Sequence, residues 1–259
     1  MTEGTLPHHV AQALDQADRQ QLELAGIGCF AQVTKIPNTG HHPRILRYYG
    51  EYNAGNGLPN GLVFQYHGGG TLAENIATSK YPEQRAWPLQ AAEALQFIHS
   101  KSVIHSDFGS HNILIQDDGN LVLADFGGSK LDDTVPIVSY SSRYARPGCE
   151  EDSIEVDDIF ALGTILYEIQ AGHPMYQDQP SREIEKLLRQ KKFPGLGTVD
   201  SQLRSVIEKC WSGGYRSADE VIIDLQRTPS RPYTQILSLS GLVLAAGTAI
   251  YMMARRRKL

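Results

Sequence analysis

The sequence predicts an α+β domain, strand-bearing in its first part and mainly helical in its second, followed by a separate transmembrane helix. Three observations predict it. Between residues 102 and 124, short apolar runs alternate with polar turns, the pattern of paired strands. Before them, residues 83–99 carry apolar side chains at helical spacing. Residues 236–253 are uncharged and mostly apolar, and eighteen helical residues reach about 27 Å, just adequate for a thin bilayer.

Each element has a local reason. Ser102-Val103-Ile104, Ile113-Leu114-Ile115 and Leu121-Val122-Leu123-Ala124 are the strand runs, and Asp117-Asp118-Gly119-Asn120 is a hairpin turn between the last two. Over residues 83–99, Trp87, Ala91, Ala94, Leu95 and Ile98 fall near one helical face. A chain of 259 residues, 41% hydrophobic, suffices for one domain with an independent core. The terminal run Arg255 to Lys258 carries +4 of a formal net charge of −5, so the rest stands at −9. So acidic a body argues against nucleic acid as a direct partner. Cys29, Cys149 and Cys210 are too far apart for a metal pattern, and an odd number in a reduced, cytosol-facing compartment is the simplest reading. The start is polar, with Glu3 and Pro7, and carries no signal-peptide pattern.

The chemistry concentrates in His105-Ser106-Asp107-Phe108-Gly109-Ser110-His111-Asn112, followed by Asp125-Phe126-Gly127. An Asp five residues before an Asn, then a second Asp beyond a strand and a turn, resembles the catalytic and metal-binding loops of the protein kinase superfamily. The resemblance covers about residues 26–227 and is closest in style to divergent fungal serine/threonine kinases, whose fourth strand is written much like residues 42–50. It implies a bilobal protein kinase-like fold with an incomplete β-rich N-lobe and a mainly helical C-lobe. It also implies ATP and Mg2+, with Asp107 accepting the substrate hydroxyl proton and Asn112 and Asp125 holding the metal. Gln65, Tyr66 and His67 would be the hinge that binds adenine, with Phe64 as gatekeeper and Leu114 contributing to the nucleotide site. Gly26 and Gly28 resemble the Gly-rich loop. His105, Phe126, Gly127, Asp158 and Arg216 would be structural, Asp158 tying down the catalytic-loop backbone from the central helix.

Three departures qualify the resemblance. The stretch between Val33 and His42, broken by Pro37, Asn38 and Gly40, is too short for a Lys-bearing strand and a Glu-bearing helix. A second register makes residues 9–25 that helix, with Glu23 as its acid, and leaves no Gly-rich loop. Ser106 replaces the Arg that contacts a phosphorylated activation segment, and Gly109 stands where serine/threonine kinases carry a Lys. Losing such a cation could cost several kcal/mol, by analogy with oxyanion donors at about 2.7–4 kcal/mol each. Gly148 occupies the position of a Glu that pairs with an Arg, here Arg216, and Glu150 or Glu151 could substitute. Ser139, Tyr140, Ser141 and Ser142 could be modified but read as ordinary loop polar residues.

The sequence therefore divides into an N-terminal polar or helical segment (1–25), a partial N-lobe (26–66), a C-lobe (67–227), a linker (228–235), the transmembrane helix (236–253) and a basic tail (254–259). Gly241, Ala245 and Ala249 form a small-residue stripe on which two such helices could pack. The expected activity is transfer of the ATP γ-phosphoryl to a protein serine or threonine hydroxyl, by a kinase-like domain anchored at a membrane and facing the cytosol. The partner is a protein substrate. Two readings compete: a pseudokinase scaffold without catalysis, and a transcript from which an N-lobe exon is missing.

Overall fold

The computed structural model describes residues 42–52, 61–78, 81–132, 134, 138–149, 153–197 and 199–227. The described residues have the expected α+β character, with few strands and a helical second half. β1 (Tyr48–Tyr52) and β2 (Gly61–Phe64) form an antiparallel pair. The one-turn helix α1 (Leu72–Asn75) follows, capped reciprocally: Glu74 N–H donates to Thr71 Oγ1 at 3.2 Å, and Thr71 N–H to Glu74 Oε2 at 2.8 Å. α2 (Trp87–His99) then leads to β3 (Val103–Ile104), β4 (Ile113–Ile115), β5 (Leu121–Leu123) and β6 (Lys130–Leu131). β4 and β5 close the hairpin read from Asp117 to Asn120, and β3 pairs with β6. The second half is α3 (Glu155–Ala171), α4 (Ser181–Arg189), α5 (Ser201–Ser212) and α6 (Ala218–Gln226).

α3 is the centre. Every residue from Asp157 to Glu168 is buried, so the helix has no solvent face to expose and packs against α2 on one side and α5 on another. Gly172, in the left-handed region at φ 73°, ends it and donates its N–H to Glu168 O. Trp211 on α5 stacks on Phe193 with centroids 4.7 Å apart and donates its indole N–H to Thr164 Oγ1 on α3 at 3.2 Å.

Two expectations are corrected. The helix expected from Glu83 begins at Trp87, because Pro82–Arg85 wind as a 3-10 turn and Pro88 sits in the first α-helical turn, where its missing N–H costs nothing. α4 was not anticipated: its apolar face rests on two buried residues, Ile184 and Leu188, in an otherwise charged segment. The transmembrane helix expected at 236–253, with its linker and basic tail, lies outside the described residues. Among the described residues, no helix is long and apolar enough to cross a membrane.

α2 also holds the hairpin that carries the site. Trp87 Nε1 donates to Gly119 O at 2.9 Å in the β4–β5 turn, and Gln90 Oε1 accepts from Leu121 N–H at 2.8 Å. Trp87→Phe leaves the ring volume nearly filled but the turn carbonyl unpaired, so it should cost about 1–3 kcal/mol. The urea midpoint at neutral pH reads this directly, and an unchanged midpoint would remove the hydrogen bond from the account.

Candidate active site

The two loops that carry the chemistry leave the strands side by side. Residues 105–112 join β3 to β4, and residues 124–129 join β5 to β6. Because β4 pairs with β5 and β3 with β6, both ends of both loops are fixed in register. Ile113 faces Leu123, and the ladder continues one residue further: Ala124 N–H donates to Asn112 O at 2.8 Å. On its other side the Ala124 carbonyl lies 3.0 Å from His105 Nε2. Asp125 therefore starts from a peptide anchored on both faces.

Within the first loop, Asn112 Nδ2 donates to the Asp107 carbonyl at 2.9 Å and to its carboxylate Oδ2 at 3.1 Å. The same oxygen lies 3.3 Å from His111 Nε2. Asn112 Oδ1 accepts no hydrogen bond among the described residues and is left to ligate. Asp125 is exposed and adopts φ 56°, a left-handed conformation rare for a non-glycine residue, with its Oδ1 accepting from Gly127 N–H at 3.3 Å. Phe126 packs against the ring of His105, centroids 5.2 Å apart. An amide oxygen and one exposed carboxylate are a hard-oxygen donor set. Mg2+ is held by one or two such groups, with phosphate oxygens and water completing the octahedron. Among the described residues no group of three or more His, Cys, Asp or Glu side chains gathers as a self-sufficient metal cage. The donors therefore fit a cation shared with a phosphate.

Asp158 anchors the loop from below. Its carboxylate, fully buried on α3, accepts from His105 N–H (2.8 Å), Ser106 N–H (3.3 Å) and Tyr140 O–H (2.6 Å), and lies 2.9 Å from His99 Nε2. Burial pushes its pKa up, but the hydrogen bond and charge of His99, then His105 and Tyr140, outweigh it and hold the carboxyl below its ordinary value. Burial, reinforced by the Asp158 charge, drives the Tyr140 hydroxyl well above its own ordinary value. Glu168 behaves oppositely. Burial raises its pKa and outweighs donation from Tyr144 O–H (2.8 Å), Met175 N–H (3.0 Å) and Ser110 O–H (3.0 Å) together with the charge of Arg143.

The hinge residues follow β2. Gln65 N–H is committed to Arg47 O at 2.9 Å, so an adenine there would have to use the Gln65 carbonyl and the His67 backbone. Tyr66 is 83% exposed and His67 buried. Leu114, half-buried on β4, bridges to Thr71 just past the hinge, and Ile115 N–H donates to Gly70 O at 2.9 Å. Gly26 and Gly28 lie outside the described residues. Arg216 is exposed, so no stranded buried charge arises there, and its backbone N–H donates to Glu220. Gly148 has φ 87°, a conformation that a Glu would adopt only under strain. Glu150 and Glu151, expected to substitute for that Glu, lie outside the described residues; among the described ones, Arg146 Nε pairs with buried Asp157 on α3 at the segment end. Sequence reasoning missed His99, Tyr140, Asp157, Ser110, Tyr144 and Glu168. The doubled acid Asp157-Asp158 was the one available sign that the helix anchors two things. A cleft of about 500 Å3 between the 193–197 loop and α5 contains none of the loop carboxylates. Volume therefore does not locate this chemistry.

Comparison with known proteins agrees with the geometry. Residues 25–216 match the family model described as Protein kinase domain. The chain is 29% identical over 212 residues to Aurora kinase A-A of Xenopus laevis, covering 76% of this chain and 50% of that one. It is 31% identical over 189 residues to the serine/threonine-protein kinase RUNKEL of Arabidopsis thaliana, covering 68% and 14%. A calcium and calcium/calmodulin-dependent serine/threonine-protein kinase of Pisum sativum is 30% identical over 201 residues, covering 73% and 36%. The chain thus spans half or less of the length of these relatives.

Two outcomes follow from the Asp158 cluster. Tyr140→Phe deletes one donor to a buried carboxylate and should cost about 1–3 kcal/mol in urea unfolding at neutral pH. The Asp158 folded-state pKa lies below the unfolded one, so its contribution is full above the ordinary value of 3.8 and is lost as pH falls through the lowered folded value. Unfolding followed from neutral to strongly acidic pH should show that acid loss, and a flat acid limb would contradict it.

Proposed function

The chain belongs to the protein kinase family, and from that premise we propose that it transfers the γ-phosphoryl group of ATP to a serine or threonine hydroxyl of a protein. One observation carries the reading: Asn112 is turned by its two hydrogen bonds to Asp107 so that its amide oxygen remains available beside the carboxylate. In the reaction the substrate hydroxyl oxygen forms a bond to the γ-phosphorus while the bond from that phosphorus to the bridging β-phosphate oxygen breaks. ADP leaves, and the hydroxyl proton passes to the Asp107 carboxylate. Asn112 and Asp125 would hold Mg2+, which supplies neutralisation of the phosphate charge. The Gln65 carbonyl and the His67 backbone would seat adenine above Leu114, and Phe126 with His105 would keep Asp125 in place. The Gly-rich loop at Gly26 and Gly28 belongs to the same proposal.

A scaffold without catalysis is favoured by one specific observation, the shortness of the stretch between Val33 and His42, in which Lys35 is the candidate strand lysine and reads rather as a solvated side chain. The domain division, the anchoring of the chain through residues 236–253 with the catalytic part facing the cytosol, and pairing through the Gly241, Ala245, Ala249 stripe complete the reading.

Calorimetry of the full chain with Mg-ATP separates the two. Magnesium-dependent binding is expected, with loss in Asp125→Asn. Asp107→Asn should keep binding while transfer to a protein substrate falls about 10²–10⁴-fold, the usual contribution of a positioned base. A folded chain that binds no Mg-ATP would leave only the scaffold. For the anchor, full-length protein should sediment with membranes after an alkaline carbonate wash and a chain ending at Arg227 should not; equal behaviour would dismiss the span.

A further inference from the structure

We propose that His111 is a positioning residue for phosphoryl transfer: its imidazole, packed over Gly109, holds the Asp107 carboxylate in the orientation that receives the substrate proton. The proposal rests on the reading of Asp107 as proton acceptor.

The geometry begins at Gly109. Its backbone is extended (φ −159°, ψ 163°), a conformation open to any residue, so glycine is not needed there for its torsions. It is needed for space. A Cβ at position 109 would lie 2.4 Å from His111 Cε1, 2.7 Å from His111 Nδ1 and 3.0 Å from Tyr144 Cε2. The imidazole therefore occupies the volume into which a longer side chain at 109 would project. A side chain at position 109 and the observed imidazole position exclude each other, and this chain has the imidazole.

The ring also packs against Tyr144, centroids 5.7 Å apart. Tyr144 is itself immobilised: buried, with its hydroxyl 2.7 Å from Ser110 Oγ and donating to Glu168 Oε2 at 2.8 Å. The 3-10 turn Ser110–Asn112 then aims the ring back at the residue four positions earlier. Nε2 faces Asp107 Oδ2, so Nε2 carries the hydrogen and donates it. Asn112 Nδ2 reaches that same oxygen at 3.1 Å and His111 Nε2 at 3.3 Å. Two donors on one oxygen fix the rotation of the carboxylate, and Oδ1 is left without a hydrogen bond among the described residues, facing whatever hydroxyl arrives. The 3.3 Å contact is at the long end for N–H···O, as catalytic hydrogen bonds often are before substrate tightens them. With Gly109 side-chainless, His111 is the basic side chain that the described residues bring to Asp107.

The test uses the full chain, a peptide or protein acceptor, and four variants: His111→Ala, His111→Gln, Gly109→Ala and the double variant Gly109→Ala/His111→Ala. His111→Ala should lower kcat about ten- to a hundredfold, the usual effect of losing an orienting partner, with KM for ATP and acceptor and the melting temperature little changed. His111→Gln, whose amide can still donate, should recover part of the loss. Gly109→Ala should be impaired alone yet cost little more in the His111→Ala background, since the ring it displaces is already gone. An unaltered kcat in His111→Ala, or losses at 109 and 111 that simply multiply, would overturn the proposal while the activity stands. A wild-type chain that binds Mg-ATP but transfers nothing would overturn the proton-acceptor reading and this inference with it.

Discussion

The hydrogen bonds that Asp158 accepts are the constraint on which the site depends. Ser106 sits at φ 65°, a conformation that costs a non-glycine residue roughly 1–3 kcal/mol and persists only where the surroundings impose it. The surroundings here are one buried carboxylate taking the N–H groups of His105 and Ser106. That twist turns the chain so that Asp107, the next residue, leaves the core with its side chain 28% exposed while Phe108 is fully buried behind it. Without Asp158, the strained turn would relax and the two faces of the loop would lose their assignment. By sharing the Asp158 carboxylate, His99 and Tyr140 keep it ionised and fixed in rotation.

α3 repeats this device along its length. Asp157 pairs with Arg146 at the end of the activation segment, Asp158 holds the strained turn, and Glu168 collects Ser110, Tyr144 and Met175. Ten residues separate Asp158 from Glu168, about 15 Å of helix. The loop is thus pinned to one rigid rod at two distant points, His105–Ser106 and Ser110, with Asp107 between them. The two carboxylates differ in kind. The partners of Asp158, the histidines first, overcome its burial, whereas the hydrogen bonds to Glu168 and the charge of Arg143 do not overcome that of Glu168. Their linkage therefore runs in opposite senses: the Asp158 contribution is lost toward acid, and that of Glu168 is lost as pH rises through its raised folded value.

What could be read in the sequence was what is local. The Asp107 to Asn112 spacing, the β4–β5 hairpin and its turn, and the apolar face of α2 are set by residues within a few positions of one another. Asp158 was identified because the loop and its anchor come as a recognisable pair. His99, Tyr140, Glu168 and the Arg146–Asp157 pair were not legible, since each acts across the fold. Tyr140 and Asp158 are eighteen residues apart, His99 and Asp158 fifty-nine, Ser110 and Glu168 fifty-eight. A lone tyrosine in a polar loop looks the same whether it meets solvent or a buried carboxylate. Arg216 is exposed, and Glu150 and Glu151, the partners expected for it, lie outside the described residues.

The burial of Tyr140 bears on how the activation segment is ordered. Ser106 offers no guanidinium to a phosphate, so the segment cannot be drawn onto the catalytic loop by that charge pair. It is tied instead by built-in contacts: Tyr140 O–H to Asp158, Tyr144 O–H to Glu168, and Ser142 O–H to Glu185 at 3.0 Å on α4. Among its described residues, the ionic contact of Arg146 with Asp157 is also built in. A phosphate at Tyr140 would have to leave the core, because it would face Asp158 and Asp157 at close quarters in a medium that magnifies their repulsion. In this chain the described part of the segment is held by folding itself, and modification at its buried tyrosine would undo that order.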